Sequence, residues 1–201
     1  MTAKTKFIRI VHGVVLLAAV LLVTAEVSAE TRRGTGAALW AALRSGDAFA
    51  MMRHATAPGT GDPPGFSADD CATQRNLSDA GRDEARRTGA LFRANGIAAA
   101  ELRSSVWCRC RDTAELLDLG PVQVLEPLNS FFDTPTRGEG QTRTLRDWLA
   151  SRTSKRPLVL VTHQVNVTAL TGVYPRSGEV VVARIRADGT VAVLGSLPPV
   201  R

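Results

Sequence analysis

Histidine and cysteine are both scarce in this chain: its 201 residues hold three of each. That scarcity excludes most metal chemistry. Cys108 and Cys110 flank Arg109 as a Cys-x-Cys pair, but no clustered histidine or further cysteine completes a ligand set. Aromatic residues make up only 5% of the chain. No long basic block interleaves with them, and the arginines are scattered. The formal charge of +6 and the pI near 10.0 therefore do not read as a nucleic-acid surface. Internal repeats and low-complexity tracts are absent. The one long apolar run, Ile10 to Val23, is shorter than the roughly 20 residues that span a membrane.

That run belongs to a leader with the three parts of an export signal. Lys4, Lys6 and Arg9 form a positive head. The apolar stretch is broken only by His12 and Gly13, and Val27-Ser28-Ala29 supplies small residues before Glu30. Residues 1–29 are expected to be a signal peptide, with an uncleaved anchor as the alternative. Either places the remainder, residues 30–201, outside the cytoplasm as a periplasmic or secreted protein of one domain. Loss of Lys4, Lys6, Arg9 and Glu26 lowers the formal charge from +6 to +4. This mildly basic balance suits anionic small molecules or anionic lipid headgroups, and so association with a membrane surface.

Past the leader only two histidines remain, and both end apolar runs. Ala48-Phe49-Ala50-Met51-Met52 delivers Arg53 and His54, followed by a Pro- and Gly-rich segment over 56–65. Leu158-Val159-Leu160-Val161-Thr162 delivers His163 and Gln164. A third run, Glu101-Leu102-Arg103-Ser104-Ser105, precedes a helix-like stretch carrying Arg109. The carboxyl ends of strands are where ligands collect in α/β proteins. There a neutral imidazole is a competent nucleophile, and a guanidinium suits a tetrahedral oxyanion. The plainer alternatives are that His54 caps a strand, that Arg53 and Arg109 are solvated charges, and that Ser104 bonds a strand end.

Periodicity and caps place helices at 36–43, from Ser78 to near Asn95-Gly96, at 107–117, 141–151 and 165–170. Strands are placed at 48–52, 101–104, 158–162, 179–186 and 191–194, with a short extended piece at 122–125. Ala187-Asp188-Gly189-Thr190 marks a hairpin turn. Alternating strands and helices imply an α/β fold, a three-layer α/β/α sandwich with a mostly parallel sheet. The long polar stretch 56–76 reads as the border of a site.

These segments, in this order, resemble the histidine phosphatase superfamily, which includes the cofactor-dependent phosphoglycerate mutases. Arg53-His54-Ala55 is similar to its Arg-His-Gly triplet. Asn76-Leu77-Ser78-Asp79-Ala80-Gly81 resembles its Leu-Thr-x-x-Gly helix entry. Ser104-Ser105-Val106, with Arg109 and Thr113-Ala114, resembles its Ser-Ser-Pro segment, and Thr162-His163 its Gly-His strand end. The resemblance implies a phosphoglycerate mutase-like fold and metal-independent phosphomonoester hydrolysis on a small phosphorylated substrate, with no cofactor. His54 would be the nucleophile, Arg53 and Arg109 would hold the phosphoryl group, and His163 would donate to it. Ser104 and Gln164 would be polar lining.

Ala55 replaces the triplet's glycine and Val106 the usual proline. The family's general acid falls at Ser130, and the aspartate that another branch places after the second histidine is Gln164 here. Asp133 is the first choice for the acid and Glu126 the second; a good leaving group would need neither. Export also permits a disulfide from Cys71 to Cys108 or to Cys110. Alternatives in function are phosphatase action on a lipopolysaccharide core sugar (a glycolipid substrate), mutase-type phosphoryl transfer, and phosphate binding without turnover.

Overall fold

The computed structural model describes residues 36–200, and the chain from Leu39 onward forms one compact unit. The expected leader and its processing position lie outside the described residues. The elements are helix α1 over 36–45, β1 (Phe49–Arg53), α2 (Asp79–Ala94), β2 (Glu101–Ser104), α3 (Cys108–Leu116) and β3 (Val122–Val124). These are followed by α4 (Gly138–Ser151), β4 (Leu158–Thr162), α5 (Gln164–Thr171), β5 (Val180–Ile185) and β6 (Val191–Leu197).

A strand's side chains alternate between faces, so an apolar run makes sense only where both faces are covered. Ala50 and Met52 of β1, with Val159 and Val161 of β4, pack against Leu39, Trp40 and Leu43 of α1, Phe92 of α2 and Ala114 of α3. Phe49 and Met51, with Leu158 and Leu160, pack the other way onto Leu145 and Leu149 of α4 and Val167 and Leu170 of α5. The result is the three-layer α/β/α sandwich that the alternation of elements implies. Met51 has no exposed surface. Truncating such a residue to alanine costs about 2–5 kcal/mol.

The strands lie in the order β3-β2-β4-β1-β5-β6. The first four are parallel, and β5 and β6 are antiparallel additions. From β1 the chain crosses through α2 to β2 on one side; from β4 it crosses through α5 to β5 on the other. The crevice between the carboxyl ends of β1 and β4 is therefore the switch point where ligands bind in such sheets. Parallel pairing sets Arg53 opposite Thr162. The next residue on each strand is a histidine, and the His54 amide donates to the Thr162 carbonyl at 2.8 Å.

Two glycines bring neighbouring backbone up against the end of β1. A Cβ on Gly81 would lie 2.1 Å from the Thr56 carbonyl oxygen, so only glycine lets α2 start this close to the segment after His54. Gly178 has φ +74° and meets Glu84 with no room for a side chain; its N–H donates to the Arg53 and His54 carbonyls, both at 3.2 Å. Ser78 caps α2 by accepting from the Gly81 N–H at 3.1 Å.

Two elements extend three residues beyond their expected bounds. Helix α4 begins at Gly138 rather than 141, continuing from a 3-10 turn at Pro135–Arg137. Gly138 has weak intrinsic helix preference, but the Phe131 ring packs 3.0 Å from where its Cβ would be. Strand β6 runs on to Leu197 through a register shift opposite Val182 and Ala183.

Candidate active site

The sheet delivers His54 into a buried position, 2% exposed. Its Nδ1 lies 2.8 Å from the Ala55 carbonyl oxygen, an acceptor, so Nδ1 carries the proton and Nε2 keeps its lone pair. Burial first, and then the charges of Arg109, Arg53 and Arg75, push the imidazole down to about 3. It is therefore neutral throughout the physiological range. The next residues are anchored as well. The Ala55 amide donates to Thr113 Oγ1 at 3.1 Å, and Thr113 donates to the Arg109 carbonyl at 2.6 Å. Buried Glu84 accepts from the Thr56 amide and hydroxyl at 2.8 and 3.0 Å.

Arg109 projects from the first turn of α3 and is almost wholly buried. It meets Asp62, a residue of the Gly/Pro-rich segment. Nη1 donates to Oδ1 at 2.6 Å and Nη2 to Oδ2 at 3.1 Å, with the two side chains 4% and 7% exposed. Asp62 also accepts from the Trp107 indole N–H at 3.0 Å and the Arg75 amide at 3.2 Å. Burial alone would raise the Asp62 carboxyl, but Arg109 and these donors outweigh it and hold the group below the usual carboxylate range. Removing one member of such a buried pair costs about 3–5 kcal/mol, because the other is left charged and unpaired. The Nε atoms of both Arg53 and Arg109 are buried and without a partner. Arg53 otherwise donates through Nη1 to the Pro175 carbonyl at 3.2 Å. Arg75 braces the segment through the Gly61 and Ala57 carbonyls, at 2.7 and 2.5 Å.

His163 sits beside His54, ring centroids 5.7 Å apart, with Trp107 edge-on at 5.1 Å. Its Nδ1 lies 3.5 Å from Arg109 Nη2, which can only donate, so Nδ1 is the acceptor and Nε2–H donates to Ser105 Oγ at 2.9 Å. A hydroxyl either donates or accepts, so Ser105 also supports the reverse tautomer, in which Nδ1 carries the proton. Burial, followed by the charges of neighbouring groups, lowers His163 well below its ordinary value. Cys110 Sγ lies 3.5 Å from His163 Nε2, and burial pushes its thiol up to about 12, so it stays protonated.

Arg53, His54, Asp62, Arg75, Arg109 and His163 line one cavity of about 150 Å³, together with Ser130, Phe132, Asp133, Gln164 and Tyr174. Ligand pockets that enclose a drug-sized molecule run about 300–1,000 Å³. This one is no larger than a small anion needs, and its rim is open, with Phe132 49% and Tyr174 73% exposed.

Arg53, His54, Arg109, His163, Gln164 and Asp133 thus converge on one cavity. Gln164 also donates to Thr168 Oγ1 at 2.8 Å. Ser104 does not reach the cavity: it is fully buried and its hydroxyl donates to the Ser105 carbonyl at 2.9 Å. This is the strand-end alternative, and Ser105, equally buried, is the serine that bonds His163. Glu126 lines a separate surface depression with Arg137, Gln141 and Thr144. Arg103 also lies elsewhere, paired with Glu101 at 2.7 Å and stacked over Trp148. Asp62, Arg75, Ser105 and Tyr174 escaped sequence reasoning. Only the aspartate in the Gly-Asp-Pro-Pro turn carried a local signal.

Cys71 is bonded to Cys108, which leaves Cys110 free and buried. The Cys-x-Cys metal reading fails for that reason, since one of its sulfurs is already in a disulfide. Among the described residues no three His, Cys, Asp or Glu side chains are grouped to hold a metal, and no helix is long and apolar enough to cross a membrane.

No protein-family model and no curated protein matches the chain. Solved structures do. The protein histidine phosphatase SixA complexed with tungstate is similar at 16% identity and a TM-score of 0.56, over 76% of this chain and 97% of that one. The mycobacterial glucosyl-3-phosphoglycerate phosphatase with inorganic phosphate matches at 16% identity and 0.55, over 77% and 97%. The phosphoserine phosphatase of Entamoeba histolytica with 3-phosphoglyceric acid matches at 11% and 0.54, over 74% and 95%. At these identities the likeness is one of fold, the phosphoglycerate mutase-like α/β/α sandwich.

Proposed function

We propose that the protein hydrolyses phosphomonoesters through a phosphohistidine on His54, without a metal ion. The observation that carries this reading is the unprotonated His54 Nε2 in a small cavity where Arg53 and Arg109 each leave a buried Nε without a partner. Three guanidiniums and two carboxylates, one of them paired, line that cavity, a surplus of positive charge that suits a phosphate anion. Phosphatases among the structures of like fold support the same reading.

In the first step Nε2 attacks phosphorus in line, the ester P–O bond breaks, and the leaving oxygen takes a proton. In the second, water attacks phosphorus and gives a proton to the carboxylate that the first step left ionised, the P–N bond breaks, and Nε2 recovers its lone pair as phosphate leaves. Arg53, Arg109 and Arg75 hold the equatorial oxygens; once an oxygen takes the Arg109 Nη2 hydrogen that otherwise faces His163 Nδ1, the imidazole carries its proton on Nδ1, with Ser105 donating to Nε2, and donates to that oxygen. Two carboxylates line the cavity. Asp62 is held ionised by Arg109, which leaves Asp133, at the rim, as the proton donor.

The substrate is a phosphorylated small molecule or the phosphorylated headgroup of a glycolipid, since only the phosphoryl group needs to enter. We also place the protein in the periplasm or outside the cell. The basic–apolar–small order of residues 1–29 and a disulfide next to the site support that placement. The test is turnover of a panel of phosphomonoesters by the leaderless protein, with and without EDTA, joined to rapid-quench mass spectrometry. The expected result is EDTA-insensitive turnover with a phosphoryl group on His54, both lost in His54→Ala. Undiminished hydrolysis by His54→Ala refutes the mechanism; tight phosphate binding with no turnover of any ester would make it a binding protein.

A further inference from the structure

Asp62 has no part in the chemistry above, yet it occupies the residue that must grip the phosphoryl group. A guanidinium has five N–H bonds in a fixed plane, and an oxyanion takes them in pairs, either at the Nη1–Nη2 end or along the Nε–Nη2 side. In Arg109 the end is filled by Asp62, at 2.6 and 3.1 Å. The second Nη1 hydrogen points to the Arg75 carbonyl at 3.4 Å. What remains is Nε–H, buried without a partner, and the second Nη2 hydrogen, 3.5 Å from His163 Nδ1. The open edge therefore lies on the side of His163.

We propose that Asp62 is a positioning residue: it takes the end of the Arg109 guanidinium and thereby turns the Nε–Nη2 side to the phosphoryl group. Its carboxylate is itself fixed by four donors on three residues, Arg109 Nη1 and Nη2, the Trp107 indole and the Arg75 amide. Phe66 stacks on Trp107 with centroids 5.2 Å apart, and the Cys71–Cys108 bond ties the same segment to the start of α3. A carboxylate held from so many sides is a fixture of the site, whereas a plug that phosphate must expel would be held by Arg109 alone. It also offsets one of the three cationic charges that line the cavity.

The inference rests on the proposed phosphoryl site, and two measurements separate the two claims. A crystal structure of the full protein with inorganic phosphate or tungstate should place anion oxygens on Nε and Nη2 of Arg109 with Asp62 undisturbed. An anion on the Nη1–Nη2 end with Asp62 displaced, or no anion at Arg109, overturns the proposal whether or not the protein turns anything over. In kinetics, Asp62→Ala and the milder Asp62→Asn should lower kcat, the alanine by on the order of a hundredfold, because a misplacement of about 1 Å costs that much. Inorganic phosphate should bind no more weakly than to the parent, and the pH profile of kcat/KM should keep its shape. Unchanged kcat per folded molecule makes Asp62 merely structural and refutes the inference. Loss of the profile's basic limb makes it an acid catalyst, which also refutes it. If Asp62→Ala does not fold, Trp107→Phe removes one of the four donors and should lower kcat in the same direction by less; no change counts against the idea.

Discussion

Burying two neutral imidazoles at the strand ends has a consequence measurable without any substrate. His54 is pushed down to about 3 from an ordinary value of 6.5, while in the unfolded chain it returns to about 6.5. Between those values the unfolded state binds the proton and the folded state does not. Stability therefore is fully present above pH 6.5 and falls as the pH is lowered toward 3. At one pKa unit per about 1.4 kcal/mol, His54 alone costs the fold about 2 kcal/mol on going from pH 8 to pH 5. His163 shifts in the same direction for the same leading reason, burial, and steepens the slope. The carboxyls that are held low, Asp62 and Glu101 among them, act at more acid pH and leave this window clean. Urea denaturation of the leaderless protein at pH 8, 6.5, 5.5 and 5 should show the midpoint falling with a constant m-value. His54→Gln should flatten the trend. A stability unchanged between pH 8 and pH 5 would mean that these imidazoles are not buried in neutral form, and the proposed nucleophile would lose its basis.

Three further outcomes are expected. Cys71→Ser opens a covalent loop of 37 residues and should lower unfolding stability by about 4 kcal/mol on the loop-entropy estimate; thiol counting under denaturing conditions should find one free thiol in the parent from an oxidising compartment, and three would rule the bridge out. Asp133→Asn should slow alkyl phosphates by about 10²–10⁴-fold and aryl phosphates much less, and equal slowing of both would remove Asp133 as proton donor. Intact mass of protein recovered from the expressing cell should show the chain beginning near Glu30, whereas full-length chain in the soluble cytoplasm would refute export.

The histidine ends of β1 and β4 were legible because strands buried on both faces write themselves as unbroken apolar runs, and a polar residue at the end of such a run stands out. Arg109 was legible through its spacing from the serine pair. Ser104 and Ser105 show where that legibility stops. The two are chemically alike, and a shift of one residue along a strand decides which bonds His163, so only the pairing of β2 with β4 separates them. Asp62 and Arg75 lie thirteen residues apart in a segment with no period at all, joined at 3.2 Å by folding alone. Helix α4 started earlier than expected because Phe131 covers Gly138, an interaction that helix preference does not record.

The division between enclosed cavity and exposed rim carries a meaning for descent. The proposed nucleophile and the side chains around it are fixed by the sheet and by a buried ion pair, where almost any exchange is costly. Phe132 and Tyr174 sit on connecting segments, largely in solvent, where exchanges cost little stability. Relatives that kept the strand ends and varied only these connectors would inherit the same reaction and diverge in what they act upon. A library randomised at Phe132 and Tyr174 would retrace that divergence while the sheet stayed untouched.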